Sequence, residues 1–200
     1  MNKPNEHELK LSFNIPNAVT MVRVILAIVI AYLLYLGGAA RIMTGGILLI
    51  IAALTDWLDG FLSRRFGQSS LGGSLFDLVA DEILFMPTLI LAVTAGLFSR
   101  ADGLIPWNPY LYALPALAGG VAVLLGVGTY IWKRRSRSFE FPTPTRVAKV
   151  NFLFWMAPLI VAILGIGPNI LLAILMYLAI ISTILTFYSY LKKGSYVFTD

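Results

Sequence analysis

The chain of 200 residues contains no cysteine and a single histidine, His7. Without cysteine it can form no disulfide, thiolate metal site or cysteine nucleophile. His7 lies in a polar amino-terminal segment without a second histidine to share a metal, so we interpret it as a solvated residue. Charge is scarce too, because only 12% of the residues are charged, against roughly 25% in soluble domains. These absences favour a protein whose solvent is the lipid bilayer.

Apolar runs fill most of the sequence, which is 58% hydrophobic. Six of them are long enough to cross a hydrocarbon core about 30 Å thick. They cover Val19–Leu36, Ile42–Leu62, Leu75–Leu97, Tyr110–Trp132, Val147–Ile166 and Asn169–Leu191. We therefore predict one all-α membrane domain over residues 1–200, an integral membrane bundle of six transmembrane helices. A short N-terminal interfacial helix is expected at Leu9–Pro16, where apolar and polar residues alternate.

The distribution of positive charge predicts how the bundle is oriented. If the amino terminus is cytoplasmic, all of the 15 Lys and Arg residues except Arg41 and Arg100 fall on the cytoplasmic side. Short loops with such a bias fix the topology of membrane helices. Both termini and the turn between the second and third runs are then cytoplasmic. The basic excess indicates contacts with anionic membrane lipids or anionic substrates, and no nucleic acid is expected as a partner.

Five of the ten acidic residues flank that turn, two before it and three after it. They are Asp56, Asp59, Asp77, Asp81 and Glu82. A helix advances about 100° per residue, so Gly60 and Ser63 share a face with the first two carboxylates. Gly73 lies just before the third run and begins a similar face, since Asp77 and Asp81 follow it at steps of four. The sequence thus predicts two acidic stripes that meet across a short turn.

Carboxylates at membrane depth require a reason, since each costs about 2.5–3.5 kcal/mol on insertion scales. Four that face one another repel unless divalent cations neutralise them. Oxygen ligands without His or Cys select hard cations, and we predict two Mg²⁺ or Mn²⁺ ions. The small residues leave space for a phosphate ester, and Arg64 can form a bidentate contact with a diphosphate. Arg65 and Glu82 are interpreted as solvated or paired interfacial charges.

The pattern Asp-x-x-Asp-Gly-x-x-Ser-Arg, eight residues, Gly-x-x-x-Asp-x-x-x-Asp resembles the signature of the CDP-alcohol phosphatidyltransferases. The resemblance implies a usually dimeric enzyme of a bacterial or archaeal cytoplasmic membrane. Such an enzyme transfers a phosphatidyl group from CDP-diacylglycerol to a polar alcohol acceptor and releases CMP. The resemblance also implies two metals held by Asp56, Asp59, Asp77 and Asp81, with Asp81 as the base. The CDP site implied in the same way consists of Asp56, Gly60, Ser63, Arg64 and Gly73.

Two segments resemble the branch of the family whose acceptor is glycerol 3-phosphate. They are residues 13–26 and Thr55–Arg65. The phosphate of that acceptor needs cationic side chains. Our candidates are Arg146 and Lys149, one helical turn apart at the start of the fifth run, with Arg134 and Arg135 behind them.

Two departures keep other acceptors open. Glu82 stands where that branch usually carries Lys, and Gly128-Thr129 stand where it tends to carry an Arg and an acidic residue. A phosphatidylinositol-type, phosphatidylinositol-phosphate-type or cardiolipin-type synthase is therefore an alternative. An alternative of another class is a divalent-cation carrier that uses the same carboxylates. A carrier needs polar groups throughout the bilayer, and the outer halves of the second and third runs have almost none, which favours the enzyme.

Overall fold

The computed structural model describes residues 15–66, 71–105, 108–133 and 146–195, and the chain is helical in nearly all of them. Within these ranges there are six α-helices and no β-strand. The helices are α1 (Ile15–Leu36), α2 (Ala39–Phe66), α3 (Leu71–Thr94), α4 (Pro109–Lys133), α5 (Arg146–Leu164) and α6 (Asn169–Ser195). A 3₁₀ turn, Ser99–Ala101, lies between α3 and α4. The all-α prediction is therefore confirmed.

Each predicted apolar run lies within or nearly within one helix, and the two clear differences in boundary come from glycine. The third run was expected to reach Leu97, but α3 ends at Thr94. Gly96 adopts a φ of 71°, and the N–H of Leu97 donates to the carbonyl of Ala92 at 3.0 Å. This is the pairing of a glycine-capped helix end. Gly165, with a φ of 63°, likewise follows the end of α5. The predicted interfacial helix lies almost entirely outside the described residues.

Among the described residues, two helices are long and apolar enough to cross a membrane, judged by length and composition. The qualifying segments are Ala18–Leu36 in α1 and Asn169–Ser189 in α6. Shorter apolar stretches occupy Ala39–Thr55 in α2, Ala113–Leu125 in α4 and Val150–Leu164 in α5. The structure thus confirms a helical protein with membrane-capable segments, and the full set of six spans stays a prediction.

Helix α1 packs on both helices that carry the acidic signature, α2 and α3. Its buried side chains recur every three or four residues, as expected for one face of a helix. They are Thr20, Arg23, Ala27, Ile30 and Leu34. The opposite face is apolar and exposed, with Ile25, Ile28 and Tyr32 directed outward. One arginine therefore lies on the inner face of an apolar helix, next to α3.

The remaining helices complete the bundle around this arrangement. Helix α5 packs on α6 and α2, and α4 packs on α3. Phe85 of α3 meets Phe152 and Trp155 of α5 in edge-to-face contacts, with ring centroids 5.7 and 6.5 Å apart. Such pairs stabilise a core beyond the area that they bury. They fix α3 relative to the helix that carries the predicted acceptor residues.

Candidate active site

The side chain of Arg23 connects α1 to two carboxylates of α3. Its Nη1 atom donates hydrogen bonds to Oδ1 of Asp77 at 2.6 Å and to Oδ1 of Asp81 at 2.8 Å. The two Asp residues are four positions apart, and on a helix this spacing places their side chains on the same face. Both carboxylates therefore converge on one cationic nitrogen.

The three side chains of this cluster differ in their access to solvent. Arg23 is 0% exposed, whereas Asp81 is 20% and Asp77 40% exposed. A guanidinium buried in this way must be paired, because an isolated buried charge costs several kcal/mol. Among the side chains that the structure describes here, two carboxylates meet one guanidinium, which leaves negative charge in excess. Of these two carboxylates, Asp77 is the more accessible to an ion that arrives from solvent.

The donor set of this cluster fits a hard divalent cation. Carboxylate oxygens are the ligands that Mg²⁺ and Mn²⁺ prefer. Asp77 and Asp81 already enclose one positively charged atom, and both contacts use the Oδ1 atoms. The second carboxylate oxygen of Asp77 takes no part in them. Two of the four predicted metal ligands thus converge on one point and carry the negative charge that a cation requires.

The other half of the acidic signature lies on α2. Residues 56, 59, 60, 63 and 64 all fall inside this continuous helix, so their offsets of three and four do follow a helical face. Their side chains lie outside the described part of the structure. Gly73, predicted for the CDP site, lies in the first turn of α3, one turn before Asp77. Whether the two stripes face each other stays a prediction.

The predicted acceptor residues also divide into two groups. Arg146 and Lys149 occupy the first turn of α5, as the sequence predicts, and their side chains lie outside the described part. Arg134 and Arg135 fall between the described ranges 108–133 and 146–195. Helix α5 contacts α2 and α3, so its first turn belongs to a helix that packs on both signature helices.

Glu82 does not behave as predicted. It is only 9% exposed, and its Oε2 atom is buried without a hydrogen-bond partner among the described residues. The interpretation of Glu82 as a solvated or paired interfacial charge is therefore wrong. A helix turns about 100° per residue, so the side chain after Asp81 points away from Arg23. It enters the seam between α3 and α4, where it faces Gly120 and lies close to Met86.

Arg23 is the site residue that the sequence analysis missed. It was counted only among the cytoplasmic positive charges, although it stands inside the first apolar run. An ionisable residue within such a run needs a named anionic partner. The sequence therefore carries the signal, and the acids of the signature are the candidate partners of Arg23.

Comparison with known proteins identifies a family whose sequence profile matches most of the chain. The sequence profile of the family described as CDP-alcohol phosphatidyltransferase matches residues 13–185. This range includes all six helices, apart from the last turns of α6. It also includes Arg23 and the whole acidic signature.

Several bacterial proteins named CDP-diacylglycerol--glycerol-3-phosphate 3-phosphatidyltransferase resemble this chain. Identity is 42% over 81 residues to the protein of Salmonella choleraesuis (strain SC-B67) and 38% over 81 residues to that of Escherichia coli (strain K12). In both cases the match covers 40% of this chain and 44% of the relative, so the chain spans less than half of their length. The Rickettsia felis protein is 26% identical over 191 residues, which is 92% of this chain and 97% of that protein.

Proposed function

The chain belongs to the CDP-alcohol phosphatidyltransferase family, and we propose that it transfers the phosphatidyl group of CDP-diacylglycerol to glycerol 3-phosphate, releasing CMP. The observation that carries this proposal is the convergence of Asp77 and Asp81 on one cationic nitrogen, within a chain that has the complete acidic signature. The choice of acceptor is supported by the names of the Salmonella and Rickettsia relatives. It is also supported by residues 13–26 and Thr55–Arg65, which resemble the branch of the family whose acceptor is glycerol 3-phosphate.

The transfer requires the acceptor hydroxyl to lose its proton as it attacks. We propose that the carboxylate of Asp81 accepts this proton, because it is held firmly by Arg23 and still reaches solvent. A bond then forms between the acceptor oxygen and the β-phosphorus of CDP-diacylglycerol. The bond from that phosphorus to the bridging oxygen breaks, and its electron pair leaves with CMP. The lipid product remains in the bilayer.

Two Mg²⁺ or Mn²⁺ ions are the proposed cofactors, with Asp56, Asp59, Asp77 and Asp81 as their ligands. Bound ions of this kind offset the negative charge of a diphosphate during substitution at phosphorus. The fit of the Asp77–Asp81 pair to a cation supports this assignment. The proposed contacts to CDP come from Asp56, Gly60, Ser63, Arg64 and Gly73.

The phosphate of the acceptor is proposed to bind Arg146 and Lys149, with Arg134 and Arg135 nearby. Their position in the sequence, at the start of α5 or just before it, supports this choice. Arg23 is unsuitable for this task because its side chain is 0% exposed and already engaged by two carboxylates. The incoming phosphate therefore needs a different cation.

We propose that all six helices span the membrane, with both termini and the active site on the cytoplasmic side. The membrane-capable segments of α1 and α6 support this, as do the outward apolar side chains of α1 and the bias of Lys and Arg. The bacterial relatives suggest the cytoplasmic membrane of a bacterium. A homodimer is proposed on the family resemblance alone.

A panel of acceptors tests this function directly. The purified protein is incubated in detergent with CDP-diacylglycerol, Mg²⁺ or Mn²⁺, and one acceptor at a time, while CMP is measured. The panel contains glycerol 3-phosphate, inositol 1-phosphate, inositol, serine and phosphatidylglycerol, with EDTA as the control. Fastest release with glycerol 3-phosphate supports the proposal. If CMP is released fastest with another acceptor, the proposed acceptor is wrong and the proposed transfer reaction stands. If no acceptor leads to release of CMP, the proposed function is contradicted.

A further inference from the structure

We propose that Arg23 is a built-in counter-charge of the metal site. In this role it holds Asp77 and Asp81 in place in the metal-free protein and lowers their affinity for a divalent cation. The inference rests on the proposed function, because it takes these two carboxylates as metal ligands. It makes Arg23 a positioning residue that acts through the carboxylates and does not itself touch substrate.

The first support is that Arg23 cannot leave the cluster easily. It belongs to the buried stripe of α1, between Thr20 and Ala27, and its side chain is 0% exposed. A surface arginine can swing into water, whereas this one is fully buried and would first have to break its ion pairs with Asp77 and Asp81. Arg23 is therefore a permanent part of the site.

The second support is the way in which the two carboxylates share one nitrogen atom of Arg23. One nitrogen of Arg23 contacts one oxygen of each carboxylate, at 2.6 and 2.8 Å. The second oxygen of Asp77 is not used by Arg23, and Asp77 is 40% exposed. A cation can thus bind Asp77 beside the guanidinium without displacing it. The two positive charges then repel across the carboxylates, which weakens the binding of the cation.

Replacement of Arg23 by glutamine separates this role from a purely structural one. Without the guanidinium, Asp77 and Asp81 repel in the metal-free protein, so its thermal midpoint should fall. Mn²⁺ then meets the two carboxylates without the positive charge of Arg23 between them, and we expect R23Q to bind it about tenfold more tightly than the unmodified protein. Because ligand binding to the folded state raises stability, Mn²⁺ should also raise the midpoint of R23Q more than that of the unmodified chain.

Lysine at this position is the rescuing substitution. The contacts of Arg23 with Asp77 and with Asp81 both come from its Nη1 atom, so for these two carboxylates an ammonium can replace the guanidinium more readily than it could in a two-nitrogen fork. We expect R23K to retain the Mn²⁺ affinity of the unmodified protein within about threefold, since the positive charge is preserved. R41Q is the matched control, because Arg41 is exposed on α2 and its loss removes the same charge elsewhere.

The experiment is a Mn²⁺ titration of metal-stripped protein, followed by the electron paramagnetic resonance of free Mn²⁺, together with thermal unfolding with and without Mn²⁺. Tighter binding by R23Q, with R23K and R41Q near the unmodified protein, supports the inference. Unchanged or weaker binding by R23Q overturns it. The inference is also overturned if R23Q has a lower thermal midpoint than the unmodified protein and Mn²⁺ does not reduce this difference, because Arg23 would then form only a structural ion pair.

If R23Q alone does not fold, a double variant still tests the inference. Removal of one carboxylate should relieve the repulsion, so the double variant R23Q/D77N is expected to be more stable without metal than R23Q. Equal or lower stability of the double variant contradicts the counter-charge. Failure of the proposed function would differ from either result, because the unmodified protein itself would then bind no Mn²⁺ and release no CMP.

Discussion

Glu82 of α3 faces Gly120 of α4 across the seam between the two helices. A Cβ atom added to Gly120 would lie 2.5 Å from Oε2 of Glu82 and 2.8 Å from Sδ of Met86. The carboxylate is thus buried against a position where only glycine leaves it room. Its Oε2 atom has no hydrogen-bond partner in the described ranges, so this acidic group lowers the stability of the seam.

The first prediction is that Glu82→Met stabilises the protein. Met is similarly long and unbranched, and it removes a buried oxygen whose lost hydration costs about 1–3 kcal/mol. We expect a net gain of about 1 kcal/mol, or roughly 2–4 °C in the thermal midpoint in detergent. Glu82→Gln should gain less, because it keeps a buried polar group. A lower midpoint for Glu82→Met would show that the carboxylate has a stabilising partner.

The second prediction concerns the glycine side of the same seam. Gly120→Ala should have a lower thermal midpoint than Gly119→Ala, since both gain about 0.8–1 kcal/mol of helix propensity and only the methyl group at position 120 must displace the ends of Glu82 and Met86. Gly119→Ala is the matched control, because a Cβ at Gly119 meets nothing within 4 Å. The loss from Gly120→Ala should shrink in a Glu82→Ala background, where the crowding oxygen is gone. A loss that is the same in both backgrounds would contradict the contact as its cause.

The third prediction tests the packing of α2 on α5. A Cβ at Gly46 would lie 2.5 Å from Cδ2 of Leu164 and 2.9 Å from Cγ2 of Ile163, which is β-branched and buried. Gly46→Ala gains about 0.8–1 kcal/mol of helix propensity, but crowding costs about 1–3 kcal/mol. We expect a net loss in thermal unfolding.

Gly45 provides the control for Gly46 on the same helix. A Cβ at Gly45 would make ordinary contacts of 3.7–3.8 Å with Leu33 and Leu34. Gly45→Ala should therefore keep the propensity gain and raise the midpoint. If the two substitutions shift the midpoint in the same direction, close approach of α2 and α5 at Gly46 is not what decides their effects.

The fourth prediction concerns a polar network between α5 and α6. Oδ1 of Asn151 accepts hydrogen bonds from Oγ of Ser182 at 2.5 Å and Oγ1 of Thr183 at 3.0 Å. The carbonyl of Ala179 lies within hydrogen-bond distance of the same two hydroxyls, at 2.8 and 2.9 Å, so the single proton of each hydroxyl has two alternative acceptors. Since they keep this second acceptor, Asn151→Leu should cost only about 0.6 kcal/mol, as is usual for such bonds between membrane helices.

Thr183→Val should cost more than Asn151→Leu. Oγ1 of Thr183 accepts the hydrogen bond from Nε1 of the buried Trp155 at 2.9 Å, and valine preserves the shape but removes that acceptor. Loss of a partner for a buried donor costs about 1–3 kcal/mol. Thermal unfolding of the two variants gives the order, and a larger loss for Asn151→Leu would contradict this description of the network.

Much of the fold could be predicted because helix formation here depends on local pattern. Apolar runs flanked by glycine and charge identified all six helices, and the main boundary errors lie at Gly96 and Gly165. Those glycines adopt left-handed backbone, which ends the helix before the apolar run ends. Composition alone cannot reveal which glycine caps a helix.

The site could be predicted less completely, because it depends on which helices become neighbours. The offsets of four between Gly73, Asp77 and Asp81 placed them on one face from sequence alone. The partner of that face, Arg23, is 54 residues from Asp77, and only the packing of α1 on α3 brings it there. Glu82 shows the same limit, since its burial follows from the position of α4.

The most direct test of the proposed site is the rate of CMP release by Asp81→Asn. The substitution keeps the shape of the side chain but removes the carboxylate that is proposed to accept the proton. With CDP-diacylglycerol, glycerol 3-phosphate and Mn²⁺, we expect turnover to fall by about 10²–10⁴-fold, with a cooperative thermal transition retained. Asp102→Asn, at an exposed acid outside the site, should turn over like the unmodified protein. Unchanged turnover in Asp81→Asn would contradict the assignment of this acidic pair to catalysis.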